Sequence, residues 1–329
     1  MKAKEKRLSG MALREVGVVA IILIIYVIGC LIEPRFFSFD VLVNILLFTP
    51  VLLLISLGEM MEIISQNLDV SVGSIMGFAA TVGGAIFRYD KSFPIIVVFL
   101  VTTGIGVVLG LINGLLVTRF KLPSVIVTLG TMNIYRGLIF ILMNAKQIDN
   151  MYIPQNLIAL SQPMKSVIGI PYTVIIAFAA AALVALFLRR FKTGREIYAI
   201  GCNREAAELR GINATRISML VFIIAGGLSG FAAMLFISRV GYVNPVTAGS
   251  GMEFTAVAAA VIGGTSMAGG VGTTLGTVLG CLLLGVIYNS ISYIGISGYW
   301  QDAIYGAIII IAVVIEKLIK TRLVKGQEA

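Results

Sequence analysis

The chain has 329 residues, of which 58% are hydrophobic and only 12% charged, with a formal net charge of +9 and no histidine. A soluble domain carries about 25% charged residues, so this chain lacks the polar skin that water requires and belongs in a lipid bilayer. The missing histidine excludes Ser-His-Asp and Cys-His nucleophiles and His-ligated metals, and the scattered Cys30, Cys202 and Cys281 form neither a disulfide framework nor a CxxC pair.

Charge-free runs cover residues 16–32, 41–58, 70–87, 92–118, 166–188, 217–238 and 254–301. A spanning helix needs about 20 mostly apolar residues, so most runs predict one helix each. The last run is too long for one helix, and Gly269-Gly270 supplies a break. Residues 122–144 and 300–318 are also apolar, interrupted by Arg136 and Asp302. The fold class is therefore an all-α integral membrane bundle of about ten spans. The first run follows a basic tail, as a signal peptide would. Glu33-Pro34-Arg35-Phe36 has no small-residue cleavage site, which favours a first span.

Lysine and arginine cluster in the N-terminal tail, at Arg119 and Lys121, between Arg189 and Arg216, and in the C-terminal tail. The alternate loops carry few. The positive-inside rule then places both termini in the cytoplasm with an even number of spans. The excess charge reads as membrane orientation rather than as a nucleic-acid footprint.

Gly106, Gly110 and Gly114 in the fourth predicted span match Gly272, Gly276 and Gly280 in the ninth. Either GxxxGxxxG alone suits ordinary close helix packing. Their matching places, five spans apart and so in opposite directions, predict an inverted repeat of the kind found in transporters.

The segment of about 193–214 is the one inner stretch with a shape of its own. Asn203 is a good N-cap, Glu205 suits the positive end of a helix, and Arg204, Ala206, Ala207 and Glu208 continue it. Arg210 falls in the last turn and Gly211 at the C′ position. A helix of about two turns needs something to pack against. A helix on the lipid surface and a docking helix for a cytoplasmic partner fit equally well.

Ionisable groups inside a bilayer are functional candidates. Arg136, Arg239 and Glu253 are placed to line or brace an outer vestibule, with Glu253 paired to one of the arginines; a purely structural pair satisfies the same charges. Asp69 is expected to cap the third span, with Ser71 and Ser74 satisfying further backbone groups; a role in the pathway or its gate is the alternative for Asp69 and Ser71. Glu59 and Glu62 share a helix face near the inner end of the second span, where they can face water. Asn113, Asn133 and Asn289 can serve a solute hydroxyl or bridge helices. Tyr299 and Trp300 suit an outer interface.

Several blocks carry a resemblance. Ala199-Ile200-Gly201-Cys202-Asn203, with Ala206-Ala207 and Gly211-Ile212, resembles the AxGxNxxAAxxxGI signature of ribose-type ABC sugar permeases, within the branched-chain amino acid/ribose permease superfamily. Leu68-Asp69-Val70-Ser71-Val72-Gly73-Ser74, Gly110–Gly114, Thr128-Leu129-Gly130 and the long block from Gly249 to Gly272 are similar to further family motifs. Asp69–Gly73 and Gly241-Tyr242-Val243-Asn244-Pro245 lean towards the autoinducer-2 branch. The chain departs from the family pattern at Glu59, Glu62, Gln66-Asn67 and Cys202.

The resemblance implies a single permease domain over residues 1–329 of a type II ABC importer, in the bacterial inner membrane. It implies a second permease copy or paralogue, a cytoplasmic ATP-binding subunit docked on residues 203–212, and an extracytoplasmic sugar-binding protein. The cargo would be a ribose-type monosaccharide or an autoinducer-2-like signal. No cofactor is implied. Independently, the chain has no GxxxxGK[ST], so ATP would be held by a partner. An ion-coupled carrier needs a titratable cluster at mid-membrane, whereas the acids here lie mostly near predicted span ends. An intramembrane enzyme needs a nucleophile–base or metal constellation, and none is visible.

Overall fold

A computed structural model describes residues 2–144, 146–163 and 169–295, with single positions between 300 and 314. Most of the tenth predicted span, Asp302 included, lies outside the described residues, as does Tyr299. Twelve α-helices lie within the three described stretches. They are α1 (Lys2–Ile32), α2 (Phe39–Ile64), α3 (Val72–Tyr89), α4 (Ile95–Phe120), α5 (Ser124–Met143), α6 (Gln155–Ile158), α7 (Tyr172–Arg190), α8 (Lys192–Cys202), α9 (Arg204–Leu209), α10 (Ala214–Val240), α11 (Met252–Ile262) and α12 (Thr274–Ile294). Seven of them, α1, α2, α4, α5, α7, α10 and α12, are long and apolar enough to cross a membrane.

The helices sort into an inner and an outer set. α2, α10 and α12 are mostly buried, and α2 is apolar on nearly every side, as a central helix must be. α1, α4, α5 and α7 leave large apolar side chains such as Leu23, Leu31, Leu100, Ile126 and Leu183 on the outside. With lipid as solvent, that surface needs no polar cover. α1 lies against α12, which supports reading it as a first span.

The glycine stripes let backbones meet. A Cβ at Gly106 would overlap Gly226 O and lie 2.8 Å from Gly230 N, so α4 and α10 cross with their main chains in contact. Gly276 and Gly280 of α12 meet Gly263 and Ala259 at the end of α11 in the same way. Without a hydrophobic drive between helices in lipid, such close approach is what holds them.

The predicted eighth span is not a full crossing. α11 has 11 residues, about 16 Å at 1.5 Å per residue. The chain covers the other half of the thickness without a helix. After α10, residues 241–251 run back along α3: Val243 lies at Gly84, Ala248 at Gly77 and Gly249 at Gly73. The eleven helical positions from Gly84 to Gly73 amount to about 16 Å of descent. A long charge-free run cannot reveal this, because the descending segment is itself uncharged.

Replacing Gly226 by leucine should drive a side chain into Gly106 and Gly110 and cost about 1–3 kcal/mol or more. Gly104, with nothing within 4 Å of a built Cβ, should accept leucine. Detergent-solubilised Gly226→Leu is expected to melt several degrees lower or to be lost on size exclusion. Gly104→Leu should match the native chain.

Candidate translocation site

Two helices begin inside the protein rather than at its surface. α3 starts at Val72 and α11 at Met252, and a Cβ at Gly73 would overlap the Glu253 carboxylate. The positive ends of both helices therefore face one region. Irregular backbone at this depth must be paired within the protein. Leu68 N donates to Ser124 Oγ at 3.0 Å, Val70 N to Thr128 Oγ1 at 3.2 Å, and Asp69 N to Glu59 Oε1 at 3.4 Å. Side chains of α5 and α2 thus replace a helix ladder.

Asp69 organises the α3 side. Its Oδ1 accepts from Ser71 N at 2.7 Å, and its Oδ2 from Asn113 Nδ2 at 3.1 Å. Asn113 Nδ2 also donates to Ser71 Oγ at 2.7 Å. The Tyr135 hydroxyl lies 3.0 Å from Asn113 Oδ1 and 3.1 Å from Leu109 O, sharing its one proton between them. Asp69 therefore stabilises the first turn, and the same carboxylate ties α3 to α4. Ser74 Oγ donates to Ser71 O at 2.7 Å, and Ser71 stands at the N-cap of α3 without a side-chain cap bond. Tyr135 is a member that the sequence did not suggest.

On the α11 side, Arg136 Nη1 donates to Ala248 O at 2.7 Å. Arg136 and Glu253 interact electrostatically, yet no ion pair joins them among the described residues. Arg136 Nη2 and Glu253 Oε2 are buried without partners. The expected Glu253–arginine association thus involves Arg136 and leaves one donor and one acceptor open. Arg239 is elsewhere: its guanidinium lies 5.3 Å from the Phe48 ring, which stacks on Tyr288 at 4.6 Å. Asn133 and Asn289 bond back to Leu129 O and Gly285 O of their own helices, and neither joins the cluster. Glu59 and Glu62 are fully buried rather than facing water, because α2 is packed by α10, α11 and α7, with Gly58 directly against Ala225 of α10.

At the end that the charge distribution marks as inner, α8 and α9 form one bent unit. Asn203 Oδ1 accepts from Ala206 N at 3.0 Å, the expected cap. Arg210 is the C-cap rather than part of the last turn, and Gly211 follows at φ +80°. Ile212 N reaches back to Ala207 O at 3.1 Å, closing the helix end. Ala207 is buried, Arg204 pairs with Glu208 at 3.3 Å, and Leu209 is 90% exposed. No spacing or capping signal in the sequence marks an apolar residue that bare on a polar helix.

α8 ties this unit to the core. Gln66 Nε2 donates to Gly201 O at 3.0 Å and Ala268 O at 3.2 Å. Gly270 N donates to Ile64 O at 2.9 Å, and the Tyr198 hydroxyl to Gly272 O at 2.9 Å. A Cβ at Gly201 would overlap Ile64 O, so only glycine permits this approach. The ends of α2 and α8 and the loop between α11 and α12 are thus stitched together. Beside the stitch lies a cavity of about 740 Å³, lined among others by Asn67, Lys121, Ser124, Arg204, Glu208 and Ser218.

Residues 41–313 match the family model described as the permease component of branched-chain amino acid transport systems. The chain belongs to this permease family. The autoinducer 2 import system permease protein LsrC of Enterobacter sp. (strain 638) is 33% identical over 316 residues, 96% of this chain and 90% of the relative. The ribose import permease protein RbsC of Haemophilus influenzae is 33% identical over 304 residues, 92% of this chain and 93% of the relative. No solved structure matches. The relatives are transport components, not enzymes. With seven helices long and apolar enough to cross a membrane, the chain is a multi-pass membrane permease of this family.

Burial pushes the Tyr198 hydroxyl up to about 12. The raised value means that its bond is fully present below the unperturbed tyrosine value of about 10 and is lost as pH rises through the shifted one. Tyr198→Phe is expected to cost about 1 kcal/mol. The melting difference from the native chain should stay constant up to about pH 10 and shrink above it.

Proposed function

We propose that this chain is the membrane-spanning subunit of an ATP-driven importer that moves a small sugar or sugar-like signal into the cytoplasm. Family membership supports the class. The observation that carries the mechanism is the stitched unit α8–α9. A force applied to α9 is passed by α8 to the end of α2, and from there through residues 65–71 to Asp69 and Asn113. The docking segment of about 193–214 would receive a cytoplasmic ATPase through Asn203–Gly211.

A second permease copy or paralogue would complete the pathway, and an extracytoplasmic binding protein would deliver the cargo. At the mid-depth site, Asp69, Ser71 and Asn113 would form one wall. Arg136 Nη2 and Glu253 Oε2 would offer a donor and an acceptor to a sugar hydroxyl passing between them. Asn133 would act outside that point on the bundle's flank, and Arg239 and Asn289 away from it on the inner helices α10 and α12.

The architecture is read as about ten membrane elements with both termini cytoplasmic, in a single domain with an inverted repeat. The packing supports the repeat. Exchange α2 with α10, α3 with α11 and α4 with α12. The pair α4–α10 then becomes α12–α2, α3–α10 becomes α11–α2, and α3–α4 becomes α11–α12. All of these pairs are in contact. A second reading, an ion-coupled carrier, draws on the burial of Glu59, Glu62 and Asp69, which gives the core a titratable cluster.

The docking role predicts that Leu209→Asp, and the pair Glu205→Lys with Arg210→Glu, lower recovery of the ATPase with the tagged chain by roughly tenfold or more. Membrane insertion should be unchanged. Normal recovery of the ATPase in these variants would remove the docking role.

A further inference from the structure

The cavity at the inner end, of about 740 Å³, is the size of a small-molecule site. Its walls come from the end of α2, the turn between α4 and α5, α9, and the start of α10.

Two long helices begin at this cavity. Pro123 and Ser124 open the 20-residue α5, Asn213 and Ala214 open the 27-residue α10, and all of them line it. Pro123 O accepts from Ile126 N and Val127 N, while Asn213 accepts from Arg216 N on its side chain and from Ile217 N on its carbonyl. The first two amides of each helix therefore have no intrahelical acceptor. Each helix start also carries roughly +0.5 of an elementary charge.

Side chains continue the same pattern of unspent donors. Ser218 lies one turn after Ala214, on the same face of α10. It lines the cavity, is 1% exposed, and its Oγ has no partner. Ser124 Oγ accepts from Leu68 N, which leaves the hydroxyl proton to be given. Of the charged groups in the lining, Lys121 and Arg204 are cationic and Glu208 is acidic. Arg204 spends Nε on Glu208 at 3.3 Å and keeps its other guanidinium donors. No ion pair reaches Lys121 among the described residues.

The side chains thus leave one net positive charge, and the two helix starts bring the total to about +2. A neutral sugar would leave that charge unmatched. A phosphate monoester, at about −1.5 to −2 with strong acceptor oxygens, matches it in sign and size. Lys121 stands between the exposed Phe120 and Leu122, so this wall lies where lipid meets water. A phosphate monoester can reach it from the water, as a sugar phosphate, or from the bilayer, as phosphatidic acid.

We propose that the cavity is a phosphate-monoester site, with the starts of α5 and α10, Lys121, Arg204 and Ser218 as its donors. The site stands apart from the mid-depth cluster, and the inference depends neither on the cargo nor on the direction of transport.

Thermal unfolding of the full-length chain in nanodiscs tests it, with D-ribose 5-phosphate and D-ribose as soluble probes and phosphatidic acid as the lipid probe. In phosphatidylcholine discs, ribose 5-phosphate should raise the melting temperature and ribose should not. Lys121→Gln should weaken the apparent affinity by about tenfold, and Ser218→Ala should weaken it in the same direction. Lys192→Gln, at the same end but outside the cavity, should leave it unchanged. Discs that contain phosphatidic acid distinguish the sources. If the lipid alone stabilises the chain, if ribose 5-phosphate then adds nothing, and if Lys121→Gln abolishes the gain, the lipid headgroup is the occupant. A soluble response undiminished by phosphatidic acid identifies the sugar phosphate. No response in either arm, equal responses to ribose and ribose 5-phosphate, or a response that survives Lys121→Gln would each overturn the proposal.

Discussion

A backbone amide surrounded by lipid must find its hydrogen-bond partner inside the protein. Helices meet that demand by themselves, and the outer set α1, α4, α5 and α7 does so while exposing leucine and isoleucine to the bilayer. The demand is harder where the chain stops being helical at depth. Residues 68–70 meet it with Ser124, Thr128 and Glu59, and residues 241–251 with the two-way bridge between Val243 and Ile148 and the bonds around Asn244. These solutions are possible only because both segments are wrapped by other helices. Burying them brings the first turns of α3 and α11 together in the interior, and the polar cluster follows from that.

The second consequence is mechanical. Glycine contacts between α4 and α10, and between α12 and α11, bring main chains together with no flexible side chain between them. Against that rigid frame, the end of α2 is held by hydrogen bonds to α8 and to the loop after α11. The polar bonds of Gln66, Tyr198 and Gly270 are fewer and more local than the packed seams. They are the natural place for a displacement at α9 to be taken up and passed to the segment carrying Asp69. The sequence has no GxxxxGK[ST], and under the proposed reading a push on one face would be converted into a rearrangement of a path.

Much of this was readable from the residues alone, and the misses have physical causes. Lipid-facing spans announce themselves by uninterrupted apolar length, and the cap at Asn203 and the turn at Gly211 by their residue types. The short α11 was hidden because a glycine-rich, uncharged descent has the same hydropathy as a helix. Distance from a span end suggests that Glu59 and Glu62 face water, but the surroundings of α2 depend on neighbours distant in sequence, such as Ala225. Arg239 was linked with Glu253 because both lie near outer span ends. In the structure Arg239 turns towards the Phe48 ring, a partner that no spacing rule connects to it. The matched glycine stripes are the weakest signal in the sequence, and Gly106, Gly110, Gly276 and Gly280 mark main-chain contacts between helices.

The most direct measurement is uptake of labelled ribose-type sugar and autoinducer-2-like solutes into proteoliposomes holding the purified chain, its binding protein outside and its ATPase on the opposite face. Import should require both the ATPase and ATP and should be indifferent to an imposed proton or sodium gradient. Accumulation driven by an ion gradient with the ATPase absent would contradict the central claim.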